Sequence, residues 1–150
     1  MKPSRVTLLT QDARWRGQAA GLRRAAEAVL KAEKSKGAVT LVLANDRKVR
    51  KLNRDYRGKD KPTNVLSFPD GTTHGGLMQL GDIILAYDTV VREADEQGKK
   101  FAHHARHLVV HGVLHLMGYD HEKDKEAALM EAREVKILSG LSIANPYEPK

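Results

Sequence analysis

Any fold this chain adopts has to accommodate His111-Gly112-Val113-Leu114-His115-Leu116-Met117-Gly118-Tyr119-Asp120-His121, where three histidines stand four and then six positions apart. On a helix, residues four apart project from one face a turn above each other, so His111 and His115 can aim two imidazoles at one ion. Gly118 then stops the helix, because it can adopt the left-handed conformation that closes a C-terminus. The turn through Tyr119 and Asp120 swings His121 back as a third ligand. Three neutral nitrogens suit zinc and leave a fourth position for water, the arrangement of a catalytic site.

His107 and His111 are also four apart, but only the His111 and His115 pair is followed by a helix stop and a further histidine. The helix carrying them, read as Lys99 to Met117, places Phe101, Ala105, Leu108, Gly112 and Leu116 on one side and His104, His107, His111 and His115 in a separate stripe. Val110 and Leu114 occupy much of the remainder, so this helix is expected to be buried nearly all round. For His103, His104 and His107 a structural role is expected, at most as a partner supporting a ligand. The spacing matches the HxxxHxxGxxH skeleton of metzincin proteases. Those enzymes carry a glutamate directly after the first histidine as general base, and this chain has Gly112, so proteolysis is the weaker reading.

At 150 residues the chain is one domain by size. It has no cysteine, so any metal is held by His, Asp or Glu, and a reducing cytoplasmic location is expected. No segment approaches the ~18 consecutive apolar residues of a membrane span. The net charge of +7 is unevenly distributed: residues 1–61 hold 17 Lys and Arg against 6 Asp and Glu, and residues 62–150 hold 9 against 13. A basic first part favours a polyanionic partner, nucleic acid before membrane.

Val6 to Leu9 reads as a strand, followed by an amphipathic helix capped at Asp12, with Trp15, Ala19, Leu22, Ala26 and Val29 as its stripe and Gly37 as its end. Ala38 to Ala44 is nearly continuous apolar sequence, which suits a central strand covered on both faces. Asn45 or Asp46 caps a second helix whose outer face carries Arg47, Lys48, Arg50, Lys51 and Arg54. That charge continues through Arg57, Lys59 and Lys61, which makes phosphate contact the favoured reading. Thr63 to Phe68 and Leu80 to Ala86 form a long hairpin, Asp88 caps a third helix, and Asp120, Glu122 and Asp124 open a fifth. The expected fold is α+β: a single domain over 1–150 with about four strands in a mixed sheet, about five helices, and the metal site at the end of the fourth helix and the following turn.

Three segments together resemble one family: the histidine stretch, Tyr56-Arg57-Gly58-Lys59-Asp60-Lys61-Pro62-Thr63-Asn64-Val65-Leu66-Ser67-Phe68-Pro69, and Gly81-Asp82-Ile83. They are similar to the bacterial YbeY family. The resemblance implies a zinc-dependent, single-strand-specific endoribonuclease of ribosomal RNA maturation and ribosome quality control. It implies one zinc ion on His111, His115 and His121, a functional role for Arg57, and as partners RNA, the ribosome or its small subunit, and ribosome-assembly proteins.

The chemistry agrees with that implication. A zinc-activated water can hydrolyse a phosphodiester without a protein nucleophile, and Arg57 can hold the developing phosphate charge in a planar bidentate contact. Arg47, Arg50, Arg54, Arg57, Lys59 and Lys61 are the candidate RNA-binding residues. The proton acceptor is open among Asp82, Asp120 and the RNA itself. Tyr119 can stack a base or pack over the metal site. A rival reading is a ribosome-assembly factor whose zinc supports a fold that binds RNA without cutting it.

Overall fold

The computed structural model describes residues 5–119 and 123–147. Strand β1 (Val6–Thr10) leads through a short 3-10 segment, Ala13–Gln18, into helix α1 (Ala19–Ala32). The single helix expected from Asp12 onward is therefore split. Asp12 does act as a cap, its carboxylate accepting from the Arg14 backbone N–H at 2.9 Å, but it caps the 3-10 segment. Trp15 explains the break: its ring is fully buried, and its indole N–H donates to the carbonyl of Ala44 at 2.8 Å. This ties the segment to the end of β2 (Ala38–Ala44). Helix α1 also stops earlier than expected, with Lys34 rather than Gly37 taking the positive φ of 54°. Gly37 has another reason to be small, since a Cβ there would come within 2.7 Å of Leu80.

Asn45 caps α2 (Asp46–Arg57) by accepting from the Lys48 N–H at 2.9 Å, and Gly58 closes it in the left-handed conformation. Strand β3 (Val65–Pro69), the two-residue β4 (Thr73–His74) and β5 (Leu77–Ala86) follow, then α3 (Tyr87–Glu96), α4 (Phe101–Leu116) and α5 (Asp124–Gly140). Asp88 does not cap α3. The cap position is Ala86, and Asp88 instead pairs with Arg14 at 2.7 Å. The cap position of α5 is Lys123; Asp120 and Glu122 lie outside the described residues.

The main sheet runs β1-β2-β5-β3, with β4 paired to β5 off that path. β1 with β2 and β2 with β5 are parallel, and β3 with β5 is antiparallel. Both β2 and β5 are interior strands, which accounts for the nearly unbroken apolar run from Ala38 to Ala44. The fold is α+β, with a four-stranded mixed sheet plus the short β4 and, among the described residues, five α-helices.

Strand alternation divides the interior in two. Val39, Leu41, Leu43, Ile83 and Leu85 face a large core with Trp15, Leu22, Val29, Val109, Val113, Met130 and Leu138 from the 3-10 segment, α1, α4 and α5. Val42, Ala44, Leu66, Ile84 and Ala86 face a smaller core closed by Val49 and Leu52 of α2. The basic helix thus covers one face of the sheet, and the histidine-bearing helix the other.

Candidate metal centre

Helix α4 buries eight of its sixteen residues, and none of the rest is fully exposed, as its mixed apolar and histidine pattern predicts. His111 Nδ1 lies 2.5 Å from Glu134 Oε1, and His115 Nδ1 lies 3.2 Å from the carbonyl oxygen of Tyr119. A carboxylate and a carbonyl can only accept, so each Nδ1 carries the proton. In the neutral form of each ring Nε2 is then the nitrogen with the lone pair, the form in which imidazole ligates metal. Two histidines a helical turn apart, each oriented through its other nitrogen, fit the donor set zinc prefers.

The third expected ligand, His121, lies outside the described residues. Among those residues no group of three His, Asp or Glu side chains comes together to hold an ion. The turn that leads toward His121 is defined as far as Tyr119. Gly118 has a φ of 100°, and the Tyr119 N–H returns to the Leu114 carbonyl at 3.2 Å. Tyr119 is held through its hydroxyl, which donates to Glu33 Oε1 at 2.5 Å, and Arg133 pairs with the other oxygen of the same carboxylate. Burial raises the Glu33 pKa, and the hydrogen bonds from Tyr119 and Arg133 outweigh it, leaving the carboxyl below its ordinary value.

Glu134 was not singled out in the sequence. It is fully buried on α5 and accepts hydrogen bonds from two groups, with a third close by. Besides His111, Oε2 accepts from the Tyr147 hydroxyl and stands 3.7 Å from His107 Nε2. Burial alone would raise its pKa; the nearby His107 and the hydrogen bonds from His111 and Tyr147 bring it down to about 2. A signal was present, because position 134 continues the buried stripe of Met130, Ile137 and Leu138. An acid on the apolar face of a helix requires a partner.

The remaining histidines of α4 have other contacts. His104 is buried, with Nε2 3.0 Å from Glu93 Oε1, and Asn64 donates to the same oxygen at 2.9 Å. His107 Nε2 lies 3.3 Å from the Tyr147 hydroxyl. Burial, then Lys100 and Arg106, lower the pKa of His103.

Gly112 packs against the sheet. A Cβ at this position would stand 3.2 Å from Ile83 Cδ1 and 3.3 Å from Ser67 Oγ. The position that holds the general base in metzincins therefore points into the β3 and β5 surface, where a carboxylate would meet Ile83. Asp82 stands on the other face of the sheet. It is paired in register with Phe68, which packs in the α2 core and meets the Tyr56 ring at 5.5 Å. Burial, then the nearby Asp70, raises the Asp82 pKa.

Arg57 ends α2 and is exposed. Among the described residues no hydrogen bond or ion pair joins it to the histidines. Arg47, Lys48, Arg50, Lys51 and Arg54 line a cleft with Gln11 and Asn45. Arg50 pairs there with Asp60 at 2.8 Å, and Arg54 with Asp55 at 3.3 Å. Lys59 and Lys61 are exposed in the loop leading to β3. The structure brings His111 and His115 together on α4 and gathers the cations on α2. The sheet stands between these groups.

Comparison with known proteins decides the family. The family model described as endoribonuclease YbeY matches residues 9–142. The chain belongs to the YbeY endoribonuclease family. Endoribonuclease YbeY of Rhodopseudomonas palustris strain HaA2 is 52% identical over 132 residues, covering 82% of this chain and 68% of that protein. The YbeY of Sphingopyxis alaskensis is 55% identical over 118 residues, covering 73% and 70%. A solution structure of TM1509 from Thermotoga maritima has the same fold, with a TM-score of 0.62 at 24% identity over 96% of this chain and 99% of that one. The YbeY match spans the basic helix, Arg57, His111, His115 and Glu134.

Proposed function

We propose that the chain, as one domain over residues 1–150, is a metal-dependent endoribonuclease that cuts single-stranded RNA in ribosomal RNA maturation and ribosome quality control. The observation that carries this reading is the orientation of His111 and His115, each with its Nδ1 proton held by a fixed acceptor. His111, His115 and His121 would hold the ion, and zinc suits three imidazoles. When bound, zinc supplies Lewis acidity, lowering the pKa of water in its sphere and polarising a phosphoryl oxygen. Arg57 has a planar, permanently charged fork that binds phosphate oxygens and retains its charge as the transition state develops. Arg47, Arg50, Arg54, Lys59 and Lys61 hold the RNA backbone through phosphate, without reading sequence. The ribosome, through its small subunit and assembly proteins, is the expected partner. The location is the cytoplasm, consistent with the absence among the described residues of any helix long and apolar enough to cross a membrane.

Arg57→Ala tests the reading. Metal-replete protein carrying this change should keep its fold and its zinc while losing cleavage of single-stranded RNA by a factor on the order of 100 or more, the scale of removing one charge-stabilising donor. Wild-type protein that carries zinc and binds RNA but cuts none, alone or with ribosomal subunits, would be an assembly factor instead.

A further inference from the structure

The C-terminal tail reaches the metal centre through a chain of protons with one permitted direction. Tyr147 has a single hydroxyl proton, and it is donated to Glu134 Oε2. His107 Nε2, 3.3 Å from that hydroxyl oxygen, must therefore be a donor and Tyr147 the acceptor. Glu134 Oε1 meanwhile accepts from His111 Nδ1. His111 and Tyr147 thus donate to the two oxygens of one fully buried carboxylate, and His107 donates to the Tyr147 hydroxyl behind it.

The tail is fixed at several further points. Asn145 Oδ1 accepts from the Tyr147 N–H at 2.9 Å, and Lys99 Nζ donates to the Pro146 carbonyl at 3.2 Å. The Tyr147 ring stands at 88° to that of His107, with centroids 5.5 Å apart. Tyr147 remains 43% exposed, so its hydroxyl reaches a buried acid from a ring at the surface.

We propose that Glu134 is the positioning residue for His111 and that Tyr147 latches that carboxylate in place, so that the C-terminal tail sets the affinity of the metal centre. The proposal rests on the metal reading above. A carboxylate that holds Nδ1–H fixes the ring's orientation and makes Nε2 a stronger donor, and loss of such a partner typically weakens metal binding 10- to 100-fold. Left with His111 and His107 alone, Glu134 could turn. The Tyr147 hydroxyl prevents this by fixing its second oxygen.

The test is zinc affinity, measured by competition with a chromophoric chelator, for wild type, Glu134→Gln, Tyr147→Phe, the double variant and His111→Ala. Thermal melting of each metal-free protein is measured alongside. Glu134→Gln should bind zinc on the order of 10-fold or more weakly, and Tyr147→Phe roughly 3- to 10-fold more weakly, less than the full worth of a hydrogen bond to a charged group because its loss reaches the ion only through Glu134. The double variant should bind no more weakly than Glu134→Gln alone, because Tyr147 acts only through Glu134. Metal-free Tyr147→Phe should melt below wild type yet stay folded at the assay temperature, so that its weaker zinc binding is read on a folded protein. In alkaline buffer, imidazole 15N shifts of the metal-free wild type should show the His111 proton on Nδ1. Two results overturn the proposal while sparing the metal reading: wild-type zinc affinity in both Glu134→Gln and Tyr147→Phe while His111→Ala loses the ion, or a His111 proton on Nε2. If the wild type takes up no ion at all, the metal reading fails and this proposal with it. If Glu134→Gln does not fold, Tyr147→Phe decides, since its side chain lies at the surface.

Discussion

Gly112 marks the point where this site departs from a protease. A Cβ at this position would press on Ile83 and Ser67, so the position serves close helix and sheet contact and not acid-base chemistry. Restoring the protease glutamate should therefore be harmful. Gly112→Glu forces a long charged side chain into a filled interface, and we expect it to cost about 1–3 kcal/mol or more in denaturant unfolding. It should bring no hydrolysis of a peptide substrate. A stable variant with peptidase activity would show that the residue faces the site. The same packing explains why the residues alone did not identify a general base. Asp82 fits the sequence pattern, yet it lies on the α2 face with Phe68, across the sheet from His111.

Elements with strong local signals were legible before the structure. Ala38 to Ala44 reads as a strand because seven consecutive residues lack a charge, and β2 occupies that span. Asn45 was one of two candidate caps for α2, and its side chain makes the capping bond. Where tertiary contact decided, local signals were insufficient. The indole bond from Trp15 to Ala44 converts the start of a helix into a 3-10 segment. Contact with Leu80 explains Gly37 better than helix termination does. The site followed the same division: two ligands on one helix were readable from spacing, whereas Glu134 and Tyr147 reach His111 and His107 from distant parts of the chain. The charge on α2 was also readable, but its placement opposite α4 was not. That placement makes a prediction at this scale. Arg47, Arg50 and Arg54 contribute to RNA affinity through phosphate, so replacing all three by Ala should weaken RNA binding and reduce the salt slope of log K by roughly 2, at about 0.7 per phosphate contact on a single strand. An unchanged slope would remove the helix from the RNA interface. The maximal cleavage rate at saturating RNA should remain close to wild type, because Arg57, the residue of this helix assigned to the developing charge, is left in place.

For the whole molecule, stability is linked to the region around the turn after α4. Glu33 at the end of α1 accepts from Tyr119, in the turn, and from Arg133, on α5, so one carboxylate joins three parts of the larger core's rim. Burial raises its pKa, and the two donors together lower it below the ordinary 4.5. The unfolded chain therefore binds this proton more readily than the folded one. The stabilisation is fully present above about pH 4.5 and is lost as pH falls through the depressed folded value. Melting temperatures taken down this acid range should fall less steeply for Glu33→Gln than for wild type, with the variant less stable at neutral pH. Parallel curves would mean that the contact does not persist in solution. The central claim concerns the histidines, and its most direct measurement is cleavage of a single-stranded RNA by chelator-treated protein before and after adding back one equivalent of zinc, with His111→Ala beside it. The account predicts no cleavage by the stripped protein, recovery with zinc, and no recovery in His111→Ala. Full cleavage by protein shown to be free of metal would contradict it.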